Sequence, residues 1–503
     1  MNTFLNKMKK DNNIDYTENG GITRKTTESK VLDMFALGGA YRSRSDDDVI
    51  LLFKDAFEEN EDLAMKCLFY LRDVRGGQGE RRFFRVIYRW LCENHPTTAL
   101  KNLGYISEFG RWDDLIYITE GTSLEKDAFF IIKHQLALDV QCKTPSLLAK
   151  WLPSQNASNK DTKRLGYKLA NFLRMSSREY RKTLSILRER IKVLEKLMSA
   201  GRWDEIEFDK IPSKAGLIYK NAFARRDLIA KKYEDFAKNK NTKVNAEVLY
   251  PHDIAHKAFR AYRFSYNSPE RLMIQKYWDN LKDFYNGREE NGIAIVDVSG
   301  SMSGTPMEAA VSMGAYIADK AHGLFAKHFI TFSSRPQLVE FTGIDIVDKF
   351  NRCIRADWGM NTNLKAVFDM LLRIAKSKNV KPEDMPTRLY IFSDMEFDEC
   401  VSFDIISKKA SLWNTYNTCD SIDEINSDLE KIKKEWNNAG YKMPSVIFWN
   451  LNARHNNIPA IGDGFSYVSG FSPIMIEQIL GGKDGYDLML EKLLTDRYKN
   501  IVA

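Results

Sequence analysis

Asp297, Ser299 and Ser301 stand in an Asp-x-Ser-x-Ser pattern directly after the apolar run Ile293-Ala294-Ile295-Val296. One carboxylate and two hydroxyls are hard oxygen donors. Magnesium and manganese favour such a set, in which a few protein oxygens hold the ion and water completes an octahedron. Two later segments supply matching donors. Trp358-Gly359-Met360-Asn361-Thr362-Asn363-Leu364 puts the hydroxyl of Thr362 in a loop before a helical stretch, and Leu389-Tyr390-Ile391-Phe392-Ser393-Asp394 is a second apolar run that ends in a carboxylate. Asp297, Ser299 and Ser301 are candidate ligands of one Mg²⁺ or Mn²⁺ ion, and Thr362 and Asp394 are the hard oxygen donors of the two later segments. Glu396 and Asp398, which follow, read as surface charge rather than as groups that orient the ligands.

The elements that must hold these donors are legible in the same segments. Four consecutive apolar residues suit a strand buried on both faces of a parallel sheet. Gly300 and Gly304 allow a tight turn, and helical periodicity resumes from Met307. Strand, donor loop and helix in that order place the site where open α/β sheets bind ligands. The five donors, their order and their strand contexts resemble the metal-ion-dependent adhesion site of von Willebrand factor A domains. That resemblance implies a metal with one coordination position open to an acidic group on a protein partner.

The chain has 503 residues, too long for one core, and is expected to be multidomain. An apolar content of 44% and a charged content of 28% are ordinary for a globular protein. No stretch approaches a membrane span, and the first ten residues lack the apolar core of a signal peptide. The six cysteines have neither metal nor disulfide spacing, so buried thiols in a reducing, cytoplasmic setting are expected. The net charge of +7 is unevenly spread. Residues 141–265 carry 28 Lys and Arg against 13 Asp and Glu, a surplus of +15, which leaves 7 − 15 = −8 for the rest. Such a block is either the footprint of a polyanion or a set of solvated helix faces, and charge alone does not choose.

Before residue 290 the pattern is helical, without clear alternating strands. A polar tail over residues 1–30 precedes helical spacing at 46–57, 63–71, 83–92, 100–106, 163–174 and 180–200. Two similar corners, Phe109-Gly110-Arg111-Trp112-Asp113-Asp114-Leu115 and Ala200-Gly201-Arg202-Trp203-Asp204-Glu205-Ile206, each end a helical segment with a glycine and a tryptophan anchor. They suggest stacked helix pairs in an irregular array. Between residues 70 and 85 lies Arg72-Asp73-Val74-Arg75-Gly76-Gly77-Gln78-Gly79-Glu80-Arg81. Its glycines suit backbone amides approaching a phosphate at a helix N-terminus. It has no Walker pattern, and a tight connection whose arginines pair with Asp73 and Glu80 is the simpler reading.

That segment, Tyr16-Thr17-Glu18-Asn19-Gly20-Gly21-Ile22-Thr23 and the Gly-Arg-Trp-Asp corners resemble the TROVE module of Ro ribonucleoproteins. The nearer resemblance is to a TROVE-like branch in phages, giant viruses and plants, through Leu147-Leu148-Ala149-Lys150-Trp151-Leu152-Pro153, Tyr180-Arg181-Lys182, Ile211-Pro212-Ser213-Lys214-Ala215 and Val446-Ile447-Phe448-Trp449-Asn450-Leu451. It spans roughly residues 16–480 and implies an all-α ring of HEAT-like repeats, residues 31–288, followed by an α/β von Willebrand factor A domain, residues 289–503. It also implies RNA partners: small structured RNA on a basic surface and single-stranded 3′ ends of misfolded RNA in the ring. Sequence between the shared motifs departs from Ro proteins, so no RNA contact carries over residue by residue. The residues of this chain expected to meet phosphate are Lys150, Lys163, Arg164, Lys168, Arg174, Arg178, Arg181, Lys182 and Arg188. Tyr167, Phe172 and Tyr180 lie among them as candidate stacking planes.

Other patterns carry less. His252 and His256 are one helical turn apart, but Asp253 stands where a zincin needs Glu and no third ligand is evident. Ser299 and Ser301 have no paired histidine in their motifs. One carboxylate from each of two strands suits one ion better than a hydrolytic pair. The expected function is non-enzymatic RNA binding, without a membrane. Two competing classes are a protein-interaction scaffold built on the A domain and a metal-dependent nuclease or phosphatase.

Overall fold

The computed structural model describes residues 13–16, 22–191, 193–246, 249–285, 290–332, 336–354, 363–396, 427–456, 458, 464–472 and 485–503. Two compact units interleave along the chain. Met1–Ser45, Tyr250–Arg263 and Lys282–Lys492 form one; Asp46–Leu249, Phe264–Leu281 and Leu493–Ala503 form the other. The resemblance implies a single cut near residue 288, whereas compactness follows which apolar faces meet. The helix Pro251–Ala261, for example, buries Ile254, Ala255, Ala258 and Ala261 and packs on helices Thr305–Lys320 and Ile346–Ile354 of the first unit.

The first unit is α/β. Strands β1 (Ile14–Tyr16) and β2 (Ile22–Arg24) pair antiparallel in the segment read as a polar tail. The main sheet contains β3 (Gly292–Val296), β4 (His328–Thr331), β5 (Leu338–Glu340), β6 (Arg388–Ser393), β7 (Ser445–Asn450) and β8 (Phe465–Ser469) in the order β5-β4-β3-β6-β7-β8. Only β5 runs antiparallel. Every residue of β3 is buried, as expected of a strand covered on both faces. Each such Ile or Val contributes about 1.5–3 kcal/mol by leaving water. The order reverses between β3 and β6, so the crevice beyond their C-terminal ends is the switch point of a doubly wound sheet.

Helix Lys30–Leu37, capped by Ser29 Oγ accepting from Leu32 N–H, packs against β8. Apart from Lys30 all its residues are buried. A helix apolar nearly all round must be covered on every side, and this one is part of the α/β unit rather than of the helical one. Helix Gly485–Leu493 closes the first unit along the chain, and Leu493–Ala503 belongs to the second.

The second unit is helical. Asp46–Glu59, Glu61–Arg72 and Arg81–Asn94 pack on one another, and Trp112–Thr119 and Glu125–Gln141 follow in turn. Phe69 meets Phe84 and Phe109 edge to face at 5.3 Å, and Tyr498 stacks on Phe109 at 5.5 Å. The pattern over 180–200 is two helices, Ser177–Arg190 and Leu194–Ser199, broken where Val193 turns extended. The apolar stripe hides the break because Leu184, Leu187 and Leu194 are buried on either side of it. Among the described residues no helix is long and apolar enough to cross a membrane.

Candidate functional site

Asp297 directly follows β3 and Asp394 directly follows β6, so neighbouring parallel strands deliver both carboxylates to the switch point. Both are fully buried. Asp297 Oδ1 accepts from Ser299 N–H at 2.8 Å and its Oδ2 from Ser393 Oγ at 2.6 Å. Ser299 and Ser301 Oγ lie 3.0 Å apart, and the Ser301 hydroxyl also bonds Asp394. Four of the five expected donors thus form one chain of polar contacts. Thr362 lies outside the described residues. Burial, and then the neighbouring Asp394 charge, push the Asp297 carboxyl up to about 6. Burial likewise raises Asp394.

The surroundings come from a part of the chain that the motif does not announce. The loop after β7 sends Asn452 Nδ2 to Ser301 O at 3.4 Å, Arg454 to Asp394 Oδ2 at 3.4 Å and His455 Nδ1 to within 2.9 Å of Glu396. Glu396 is therefore buried beside the site, not surface charge; Asp398 lies outside the described residues. The loop is anchored by the N-terminal segment: Ala453 N–H donates to Ala40 O, Arg44 to Arg454 O, Tyr41 OH to Asn456, and Ile458 bridges Arg24. Asn450, opposite Ser393 in the strand register, keeps Nδ2 buried with no partner among the described residues.

Two buried carboxylates with raised pKa and two converging hydroxyls fit a small hard dication. No group of three or more His, Cys, Asp and Glu side chains is placed to hold a metal among the described residues. His256 Nδ1 meets Glu308 at 2.9 Å while His252 meets Phe471 edge to face at 5.1 Å, so the two imidazoles have separate structural partners.

In the helical unit the expected phosphate contacts divide. Arg188 donates to Ala149 O and Leu152 O at 2.8 and 2.9 Å and is half-buried, so it ties a neighbouring turn. Arg164 pairs with Glu120 and Lys168 with Glu125. Arg181 makes one 3.5 Å bond to Asn156, and Lys150 lies 5.4 Å over the Trp151 ring. Lys163, Arg174, Arg178 and Lys182 are exposed and have no side-chain partner among the described residues. Lys163, Tyr167, Asn171 and Arg174 recur at helical spacing along the exposed side of Lys160–Phe172 and its end. Of the aromatics, Tyr180 is core, its OH bonded to Pro153 O, and Phe172 packs on Phe129 and Phe130. Only Tyr167 of the three is exposed.

The glycine-rich segment is a structural connection. A Cβ on Gly77 would overlap Tyr70 O, and one on Gly110 would lie 2.6 Å from Asp114 Oδ2. That bare Gly110 lets Arg72 reach Asp114, through Nε at 3.1 Å and an Nη at 2.7 Å, with Arg85 Nε at 2.6 Å on the other carboxylate oxygen. Asp73 instead takes Arg497 and Tyr498. Burial pushes Asp114 up, but Arg72 and Arg85 outweigh it and hold the carboxyl below the usual range.

Residues 17–144 and 146–284, together more than half of the chain, match the family described as Domain of unknown function (DUF2828). The chain belongs to the DUF2828 family. Residues 291–497 match a second description, Domain of unknown function (DUF7788). An uncharacterized protein, L728, of Acanthamoeba polyphaga mimivirus is 30% identical over 519 residues, covering 94% of this chain and 85% of the viral protein. In this DUF2828 chain the cationic helices fall in the second matched stretch, and Asp297 and Asp394 in the DUF7788 match.

Proposed function

We propose that this chain is a non-enzymatic RNA-binding protein of Ro ribonucleoprotein type. Its helical unit is a TROVE-like array of HEAT-like helix pairs, and its α/β unit is a von Willebrand factor A-like domain with one Mg²⁺ or Mn²⁺ ion. The observation that carries the reading is the exposed, unpaired set Lys163, Arg174, Arg178 and Lys182 on the helices Lys160–Phe172 and Ser177–Arg190 and the turn between them. Residues 160–190 hold ten Lys and Arg against three Asp and Glu, and a fold has no internal use for cations that pair with nothing. Phosphates of small structured RNA or of single-stranded 3′ ends neutralise them with release of counterions, and Tyr167 offers a stacking plane. Crosslinking the protein to RNA in cells and sequencing the product tests this. RNA is expected on peptides from residues 160–190. Recovery of a metal-dependent acidic protein without RNA would instead establish the scaffold reading.

Asp297, Ser299, Ser301 and Asp394 hold the ion in this account, and the order reversal between β3 and β6 supports the placement. The bound ion supplies a Lewis-acidic position for a carboxylate of a partner. Without it, Asp297 is a cost at neutral pH. Its raised pKa means that its contribution to stability is full below the ordinary aspartate range and is lost as pH rises through about 6. At pH 7 the metal-free Asp297→Asn variant should be at least as stable as the metal-free wild type. Added Mn²⁺ should stabilise the wild type by about 2.7 kcal/mol at 100 times Kd and the variant not at all. Equal thermal shifts in both would remove the metal site from the account.

A further inference from the structure

We propose that a pocket in the helical unit binds a nucleobase with its phosphate, an inference that rests on the RNA reading and names what the bound strand inserts. The pocket has a volume of about 500 Å³ and is lined by Tyr117, Trp151, Asp113, Lys150, Lys196 and Thr162, among others. This volume falls in the range of small-ligand sites, roughly 300–1,000 Å³.

Its two rings are held without being buried. The Arg111 guanidinium lies 4.0 Å from the Trp151 ring centre and that of Arg85 4.7 Å from Tyr117, while Tyr117 remains exposed. Asp113 accepts from Arg111 at 2.9 Å and Arg85 at 3.2 Å, which orients a carboxylate as acceptor for exocyclic amino groups. Lys150 and Lys196 have no carboxylate partner among the described residues; Lys196 Nζ bonds only Ser185 Oγ, at 2.7 Å. An apolar ligand would desolvate these charges without replacing their bonds, and a simple anion has no use for the rings. A base with a phosphate satisfies both. Thr162 lines the pocket and Lys163, the next residue, is exposed, so the pocket borders the cationic helix Lys160–Phe172.

The test uses the full chain and single-stranded RNA carrying one 2-aminopurine, with adenosine and guanosine monophosphates titrated in parallel. At one position the fluorophore should be strongly quenched on binding. Tyr117→Leu with Trp151→Leu should abolish that quenching and weaken RNA binding by roughly 5- to 150-fold, the effect of losing one stacked base. Tyr117→Phe, which keeps the ring, should keep the signal. The substitutions Lys163→Ala, Arg174→Ala, Arg178→Ala and Lys182→Ala should cost RNA affinity but leave monophosphate binding. Monophosphate binding in a protein that binds no RNA would assign the pocket to a free nucleotide and defeat the RNA reading alone. Equal RNA affinity and quenching in the wild type and the double leucine variant would overturn the pocket.

Discussion

Replacing Asp114 with alanine is expected to destabilise the helical unit by about 3–5 kcal/mol, the cost of removing one partner from a buried ion pair. Asp114 is fully buried, and the Arg72 side chain it holds is 2% exposed. Once the carboxylate is gone, Arg72 keeps its charge in a place water does not reach, and Arg85 and the Arg111 N–H lose an acceptor as well. The same sign appears in pH. A carboxyl held below its usual range stabilises the fold at neutral pH, and that contribution is lost as pH falls through the lowered pKa. Urea unfolding followed by far-ultraviolet circular dichroism measures both. In the second corner Arg202 pairs with Glu205 and Glu189 at the surface, so Glu205→Ala should scarcely move the midpoint. Equal midpoints for Asp114→Ala and Glu205→Ala would refute this distinction.

The two corners show where the chain is readable and where it is not. Their near-identical residues mark helix ends correctly, yet one acid is buried against Arg72 and the other is solvated, a difference set by neighbours about forty residues away. The β3 and β6 runs, and the carboxylates that end them, follow from local pattern because strands buried on both faces leave an unbroken apolar signature. Asn452, Arg454 and His455 carry no such signature. They reach the site because residues 24–44 hold their loop, a pairing more than four hundred residues apart in sequence. Charge counting likewise finds the basic block but cannot separate Lys163, which faces water, from Arg188, which bonds backbone carbonyls. Helical spacing places Tyr180 among cations without revealing that it is core.

The second large effect concerns RNA. Changing Lys163, Arg174, Arg178 and Lys182 to alanine together should weaken binding on the order of 100-fold at ~0.15 M salt, since four lost phosphate contacts forgo four counterion releases. Arg164→Ala with Lys168→Ala should cost much less, because those cations already pair with Glu120 and Glu125. The loss should be similar across RNA sequences, as phosphate contacts carry little sequence information. All four side chains are exposed, so the fold should be unaffected, and Asp297→Asn should leave RNA affinity unchanged.

The most direct test is the slope of log affinity against log salt for one RNA with a structured body and a single-stranded tail, measured on the wild type and the quadruple variant. The variant's slope should be shallower by about 3, each lost contact removing roughly 0.7–0.9. Wild-type binding with the same slope and affinity in the variant would mean that this face is ordinary solvated surface, and RNA recognition through it would be contradicted.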